Sequence, residues 1–145
     1  MKYARINLKH TDYLVMAENW RIFPKEEIQP EVLNEIYKKY CAHKSFHSVM
    51  PIFDSEYLDQ TNDVIGYYDR DQLVAFSLIK KYDNKNAECV QFAWDYHTPQ
   101  LGLGIASLKN ECALYRDQGY QYLYLGGADE YKKKIQGFEM LGPLK

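Results

Sequence analysis

The chain has 145 residues, the size of one domain, and no Pro-, Gly- or Ser-rich linker divides it. A domain this long builds a core that needs no disulfide or metal staple. The formal net charge of −2 excludes a broad basic field for DNA, and no run approaches ~18 apolar residues, so no membrane-spanning helix is expected.

In chain order, Tyr3–Leu8 alternates apolar and polar residues, the period of a strand. The segment "TDYLVMAENWRIF" that follows fits helix and strand equally well. Pro30 opens a helix. Val32, Leu33, Ile36, Tyr37, Tyr40 and Cys41 form one apolar stripe, with Glu31 in the first turn and Lys38, Lys39 and Lys44 toward the end. From Asp63 the period changes. "DVIGYY", "QLVAFSLIKKY" and "AECVQFAWDY" are three apolar runs separated by "DRD" and "DNKN", breaks short enough to join antiparallel neighbours. Leu73–Ile79 is apolar nearly throughout, as expected of a strand covered on both faces.

A second helix follows. Leu101, Ile105, Leu108, Cys112 and Tyr115 recur at three and four residues, Lys109, Asn110, Glu111 and Asp117 fall off that stripe, and Gly119 supplies the stop. "YQYLYL" then reads as a strand with Tyr120, Tyr122 and Tyr124 on one side. Strand, crossover helix and strand put the last two strands side by side and parallel. The expected fold class is α/β (α+β): a mixed sheet with an antiparallel meander followed by a βαβ crossover, in one domain over 1–145. Only eighteen residues follow Gly127, which points to a shortened carboxyl end, open or completed by a partner subunit such as a second copy in a homodimer.

Between the third meander strand and the crossover helix stands "PQLGLGIAS". The first amides of a helix have no carbonyl partner and carry partial positive charge, and glycine leaves them uncovered. Gln100, Leu101, Gly102, Leu103 and Gly104 therefore form a candidate anion-binding turn. Cys41, Cys89 and Cys112 are widely spaced and lack CxxC or CxxH partners, so neither a disulfide framework nor a zinc site is expected. His43 and His47 lack a third ligand, which leaves no metal site. Met1–His10 contains no apolar signal core, and a cytoplasmic location is the expectation.

The order of meander, Gly-rich turn, helix and strand resembles the Gcn5-related N-acetyltransferase (GNAT) superfamily. Its usual turn is Gln/Arg-x-x-Gly-x-Gly/Ala; here Gln100-Leu101-Gly102-Leu103-Gly104 is one residue shorter. The resemblance implies that this turn holds the pyrophosphate of coenzyme A and that backbone groups of Val90, Gln91 and Phe92 hold the pantetheine arm. Over Asp63–Leu141 the chain also resembles the catalytic half of arginyl- and leucyl-tRNA–protein transferases and the aminoacyltransferases that build peptidoglycan cross-bridges. The shared features are Leu101–Gly102, the aromatic strand Tyr122–Gly126, and Tyr131–Lys132 followed by Phe138. Those groups take their acyl unit from aminoacyl-tRNA.

These resemblances imply an N-acyltransferase whose donor is acetyl-CoA or another acyl-CoA, with aminoacyl-tRNA, and hence tRNA as partner, the alternative. The acceptor is a small-molecule or peptide amine shaped by residues 1–62, and 63–127 form the donor-binding core. Tyr131 is the candidate acid, and Glu88 or His97 the base, since each is an ionisable group beside the expected site. Lys132 would contact phosphate or an oxyanion. A domain that keeps this fold only as an interaction module is the rival of another class.

Overall fold

A computed structural model describes residues 2–44, 52, 54–95, 103–125 and 130–143, the side chains of residues 2, 3, 44, 130, 131, 142 and 143 excepted. Seven strands are β1 (Lys2–Asn7), β2 (Trp20–Ile22), β3 (Asn62–Asp69), β4 (Gln72–Lys81), β5 (Asn86–Trp94), β6 (Tyr122–Leu125) and β7 (Phe138–Pro143). They form one mixed sheet in the order β2-β3-β4-β5-β6-β1-β7. The helices are α1 (Pro30–Lys44), α2 (Asp54–Leu58) and α3 (Leu103–Asp117), with short 3-10 turns at Leu8–His10, Lys25–Glu27 and Glu130–Lys134.

The meander forms where the Asp-rich breaks place it. Arg70 takes a left-handed conformation (φ 58°) between β3 and β4. Between β4 and β5 the Asp83 carboxylate accepts from the amides of Lys85 and Asn86, each at 2.7 Å, a side chain standing in for turn backbone. Of the ambiguous segment, Trp20–Ile22 becomes an edge strand on β3, and Arg21 pairs with Gly66.

Strand side chains alternate between faces, and the two faces have separate covers. On one, Leu33, Ile36, Tyr37 and Cys41 of α1 and Tyr57 of α2 pack on Val64, Phe76, Leu78 and Ala93. On the other, Leu103, Leu108, Cys112 and Tyr115 of α3 pack on Ala4, Ile6, Ile65, Tyr67, Ala75, Ile79, Leu123 and Leu125. Val74–Ile79 of β4 is buried from end to end between these layers, as its composition predicts. Val32, placed on the α1 stripe by its spacing, is 39% exposed at the margin.

Two features go beyond the sequence reading. Among the described residues after β6 there is one strand, β7, and the strand that separates it from β6 is the amino-terminal β1, antiparallel to both. The sheet thus continues two strands past β6. Arg5 of β1 fastens this half: its Nε donates to the Glu139 carboxylate of β7 at 2.7 Å, and its guanidinium lies 4.0 Å over the Tyr122 ring of β6. The second feature is the rotation of α3. Ile105, expected inside, is 39% exposed, whereas Asn110 and Glu111, expected outside, are 1% exposed. Their buried partners on the sheet decide which face turns inward, as described next.

Candidate active site

β5 and β6 run parallel and are paired from Asn86↔Tyr122 through Cys89↔Leu125. Beyond Cys89, β5 continues for five residues, paired with β4 alone among the described residues. At that point β5 carries a bulge: Ile79 of β4 faces Cys89 and Leu78 faces Gln91, so Val90 is the extra residue. A bulge inverts the alternation of a strand. Ala87 and Cys89 face α3 before it, and Phe92 and Trp94 face the same core after it. Backbone amides and carbonyls of Val90–Trp94 on the β6 side therefore have no strand partner among the described residues. They lie at the carboxyl edge of the parallel pair, where open α/β sheets present ligands.

The first turn of α3 begins beside this edge. Leu103 turns its side chain into the core and is 7% exposed. Around Gly104 the opposite holds: a Cβ built there meets no atom within 4 Å. The helix end is therefore covered beneath and open above Gly104, the condition an anion would need to approach its amides. Gln100, Leu101 and Gly102, the rest of the proposed turn, and the candidate His97 lie outside the described residues, as does the side chain of Tyr131. The Tyr131 backbone belongs to the 3-10 turn Glu130–Lys134 after β6. Lys132, half-buried in the same turn, sits within electrostatic reach of the Cys89 thiol, which places a positive charge near the last described β5–β6 pair, Cys89 and Leu125.

On the α2 side of the sheet a cleft of about 390 Å³ opens against β4 and β5, with Glu56, Asp59, Asn62, Lys80, Glu88 and Val90 on its walls. Glu88 and the bulge residue Val90 thus share one wall. The hydroxyl of Tyr82 donates a short hydrogen bond to the Glu88 carboxylate, and this pushes the Tyr82 phenol up to about 12, with burial adding to the shift.

Sequence reasoning missed a buried polar group on the opposite face. Glu111 Oε2 accepts from the Tyr67 hydroxyl at 2.5 Å and from Ser77 Oγ at 2.7 Å, while Oε1 lies 4.0 Å from Cys89 Sγ. Asn110 Nδ2 donates to the same Tyr67 hydroxyl at 3.3 Å, and Asn110 Oδ1 accepts from the Met16 amide at 2.8 Å. Desolvation pushes the Glu111 carboxyl up to about 7, against the two hydroxyl donors that favour its charged form. One helix residue therefore reaches β3, β4 and β5 at once. Ser77, a single hydroxyl within the all-apolar centre of β4, was the visible signal that a polar partner would come from above. Burial first, then Glu111, raises the Cys89 thiol; burial likewise pushes Cys112 up to about 12. Neither environment favours a thiolate nucleophile. Among the described residues no group of three His, Cys, Asp or Glu side chains has metal-binding proximity, and no helix is long and apolar enough to cross a membrane.

A meander, a parallel pair with a bulge beside its carboxyl edge, and a crossover helix opening at that edge define a GNAT-like fold. The solved structures agree. The acetyl-CoA-bound GNAT family acetyltransferase of Elizabethkingia anophelis superposes with a TM-score of 0.51 at 11% identity, over 79% of this chain and 68% of that one. Ard1 of Thermoplasma volcanium gives 0.51 at 22% identity, over 80% and 78%. L-PGS of Bacillus licheniformis gives 0.61 at 15% identity over 88% of this chain, which spans only 46% of that protein's length. More particularly, the chain belongs to the family described as arginine-tRNA-protein transferase, C terminus, which it matches over residues 20–141. That match begins at β2 and leaves β1 outside it. No curated protein matches the chain.

Proposed function

We propose that this protein transfers an aminoacyl group from aminoacyl-tRNA to an amine. The observation that carries this reading is the family match over residues 20–141, with the Val90 bulge at the carboxyl edge of the parallel β5–β6 pair beside it. Backbone groups of β5 at that bulge would hold an extended donor and polarise its carbonyl. The family match supports tRNA as the source of the acyl unit, ahead of the acyl-CoA donor that the sequence puts first.

In this reading the amine nitrogen attacks the ester carbonyl, and Glu88 takes the proton that the amine must lose. An amide Val90–Phe92 or the Lys132 ammonium stabilises the oxyanion. The ester C–O bond breaks, the terminal ribose hydroxyl of the tRNA leaves, and Tyr131 or His97 returns a proton to it. An amide bond forms and no cofactor or metal is consumed. Residues Gln100–Gly104 bind phosphate at the opening of α3, and the face toward α1 and α2 receives the acceptor.

A second donor is acyl-CoA, favoured by the open space over Gly104 and by the bound acetyl-CoA of the Elizabethkingia structure. One experiment separates the readings. The protein is incubated with radiolabelled arginyl- or leucyl-tRNA, and separately with labelled acetyl-CoA, each with a panel of peptides and small amines. Label moving from tRNA into acid-stable, RNase-resistant product is the expected result. Transfer from acetyl-CoA alone selects the second donor. Failure of both donors to react or to bind in calorimetry overturns acyl transfer and leaves the interaction-module reading.

A further inference from the structure

The buried carboxyl of Glu111 reaches the strand that carries the bulge. The residue is 1% exposed, in the middle of α3. Its Oε2 accepts from the Tyr67 hydroxyl of β3 at 2.5 Å and from Ser77 Oγ of β4 at 2.7 Å, which uses both lone pairs of that oxygen. The Tyr67 hydroxyl oxygen accepts in turn from Asn110 Nδ2 at 3.3 Å, so this side of the carboxyl is held from three directions. Its Oε1 faces the Cys89 thiol of β5, which donates to it at 4.0 Å. Cys89 belongs to the last described β5–β6 pair and stands immediately before the bulge residue Val90.

A carboxyl held this way has one place for a proton. Oε2 already accepts two hydroxyls, so protonation falls on Oε1, the oxygen that faces Cys89. In the ionised form the thiol donates to Oε1. In the neutral form two hydrogens compete for the same gap, and the thiol must turn to present its sulfur as the acceptor. The titratable and charged groups around this contact are Tyr67 and, through Tyr115, Asp63 from β3, Glu88 beside Cys89 on β5, Cys112 and Tyr115 from α3, and Lys132 from the turn after β6; β4 contributes the neutral Ser77. Burial holds the Tyr67 and Tyr115 phenols and the Cys112 thiol above their ordinary values, so they keep their protons through neutral pH. The same burial brings the Glu111 carboxyl up to about 7.

We infer that Glu111 is a positioning residue for the donor strand: through Cys89 it sets where the Val90 bulge stands against α3, and exchange of its Oε1 proton moves that bulge. The tie stands on the buried contacts alone. Its consequence for catalysis rests on the acyl-transfer reading, in which backbone groups of Val90–Phe92 hold the donor, and Glu111 then acts through Cys89 rather than on the donor itself.

The test uses the full ¹⁵N-labelled chain without any donor. Spectra of the parent from about pH 5.5 to 8.5 should show the backbone amides of Val90, Gln91 and Phe92 shifting with one midpoint near pH 7, shared with the amide of Ser77. Cys89→Ala cuts the tie and leaves Glu111 its two hydroxyls, so the Ser77 amide should go on titrating while the bulge amides lose their shift. Glu111→Gln should lose it in both places, and Glu88→Gln should keep it in both. Three results would each overturn the inference: bulge amides that stay still in the parent, that go on titrating in Cys89→Ala (a field felt across space, with no tie), or that fall silent in Glu88→Gln. With a donor that the parent consumes, donor KM should step at the same midpoint and lose the step in Cys89→Ala; a step that persists there removes Glu111 from donor positioning. Titrating bulge amides in a protein that consumes no donor leave the tie standing and remove acyl transfer. A consumed donor with a silent bulge does the reverse.

Discussion

Glu111 is the residue with the clearest measurable consequence. Its carboxyl is fully desolvated and raised to about 7 from an ordinary 4.5. Between those values the unfolded chain ionises while the folded protein keeps its proton, so the folded state binds more protons and loses stability as pH rises. The contribution is complete below about pH 4.5, is lost progressively toward pH 7, and amounts to about 3 kcal/mol. Urea titrations from pH 4.5 to 8 should show this decline, and Glu111→Gln should flatten it while keeping an oxygen for Tyr67 and Ser77. Glu111→Ala should instead destabilise at every pH, because both hydroxyls lose their acceptor. A slope unchanged in Glu111→Gln would show that some other group titrates. Gly104 gives the complementary case. A methyl there meets nothing, and alanine is the better helix former, so Gly104→Ala should raise stability by about 0.5–1 kcal/mol. On the proposed reading a donor phosphate approaches at this position, so the same methyl should lower donor affinity measured by calorimetry. Stability and affinity moving in opposite directions is the signature of a glycine kept for ligand approach.

At the scale of elements, periodicity located the meander, both long helices and the parallel β5–β6 pair, because each has enough residues to express a period. It placed the stripe of α1 correctly at Leu33, Ile36, Tyr37 and Cys41. It placed Leu108, Cys112 and Tyr115 of α3 in the core correctly but misjudged Ile105, Asn110 and Glu111, because hydrophobicity cannot register a carboxylate that is buried against two hydroxyls from distant strands. The site was legible in part. Glu88 and Val90–Phe92 lie on β5 beside the parallel β6, as the crossover pattern places them, but the bulge at Val90 leaves no mark in composition. β7 was hidden for another reason: "FEMLGP" alternates poorly and is a strand only because β1 lies beside it. The turn that brings them together rests on Gly137, whose φ is +75° and whose carbonyl accepts from the Asn7 amide at 2.8 Å. A Cβ there would come within 2.4 Å of the Asn7 carbonyl oxygen. Both conformation and backbone contact forbid a side chain, so Gly137→Ala should cost about 2 kcal/mol or more. Thermal denaturation would read it; a melting point within a degree of the parent would show that the turn relaxes freely.

For the whole molecule, the unusual element is the one that begins it. β1 lies between β6 and β7, so the sheet's carboxyl half cannot close until the amino terminus has arrived. Ala4 and Ile6 are 1% and 0% exposed in the α3-side core, and Arg5 joins the neighbouring strands through Tyr122 and Glu139. The family match begins at Trp20, yet the strand outside it is internal to the sheet. Removing residues 1–8 would therefore not trim an edge. It would leave β6 and β7 each with an open row of backbone groups, uncover the core beneath Leu123 and Leu125, and invite pairing with other chains. The truncated protein should lose its cooperative thermal transition and elute as aggregate in size-exclusion chromatography. A synthetic peptide of residues 1–10, added in trans, should restore a monomer-sized peak by occupying the empty slot, since strand addition supplies main-chain hydrogen bonds to both neighbours. The same peptide with Ala4 and Ile6 changed to Asp should fail, because those two side chains enter the core. A truncated chain that stays monomeric and melts cooperatively without the peptide would show that β1 is an accessory to a sheet already complete at β6.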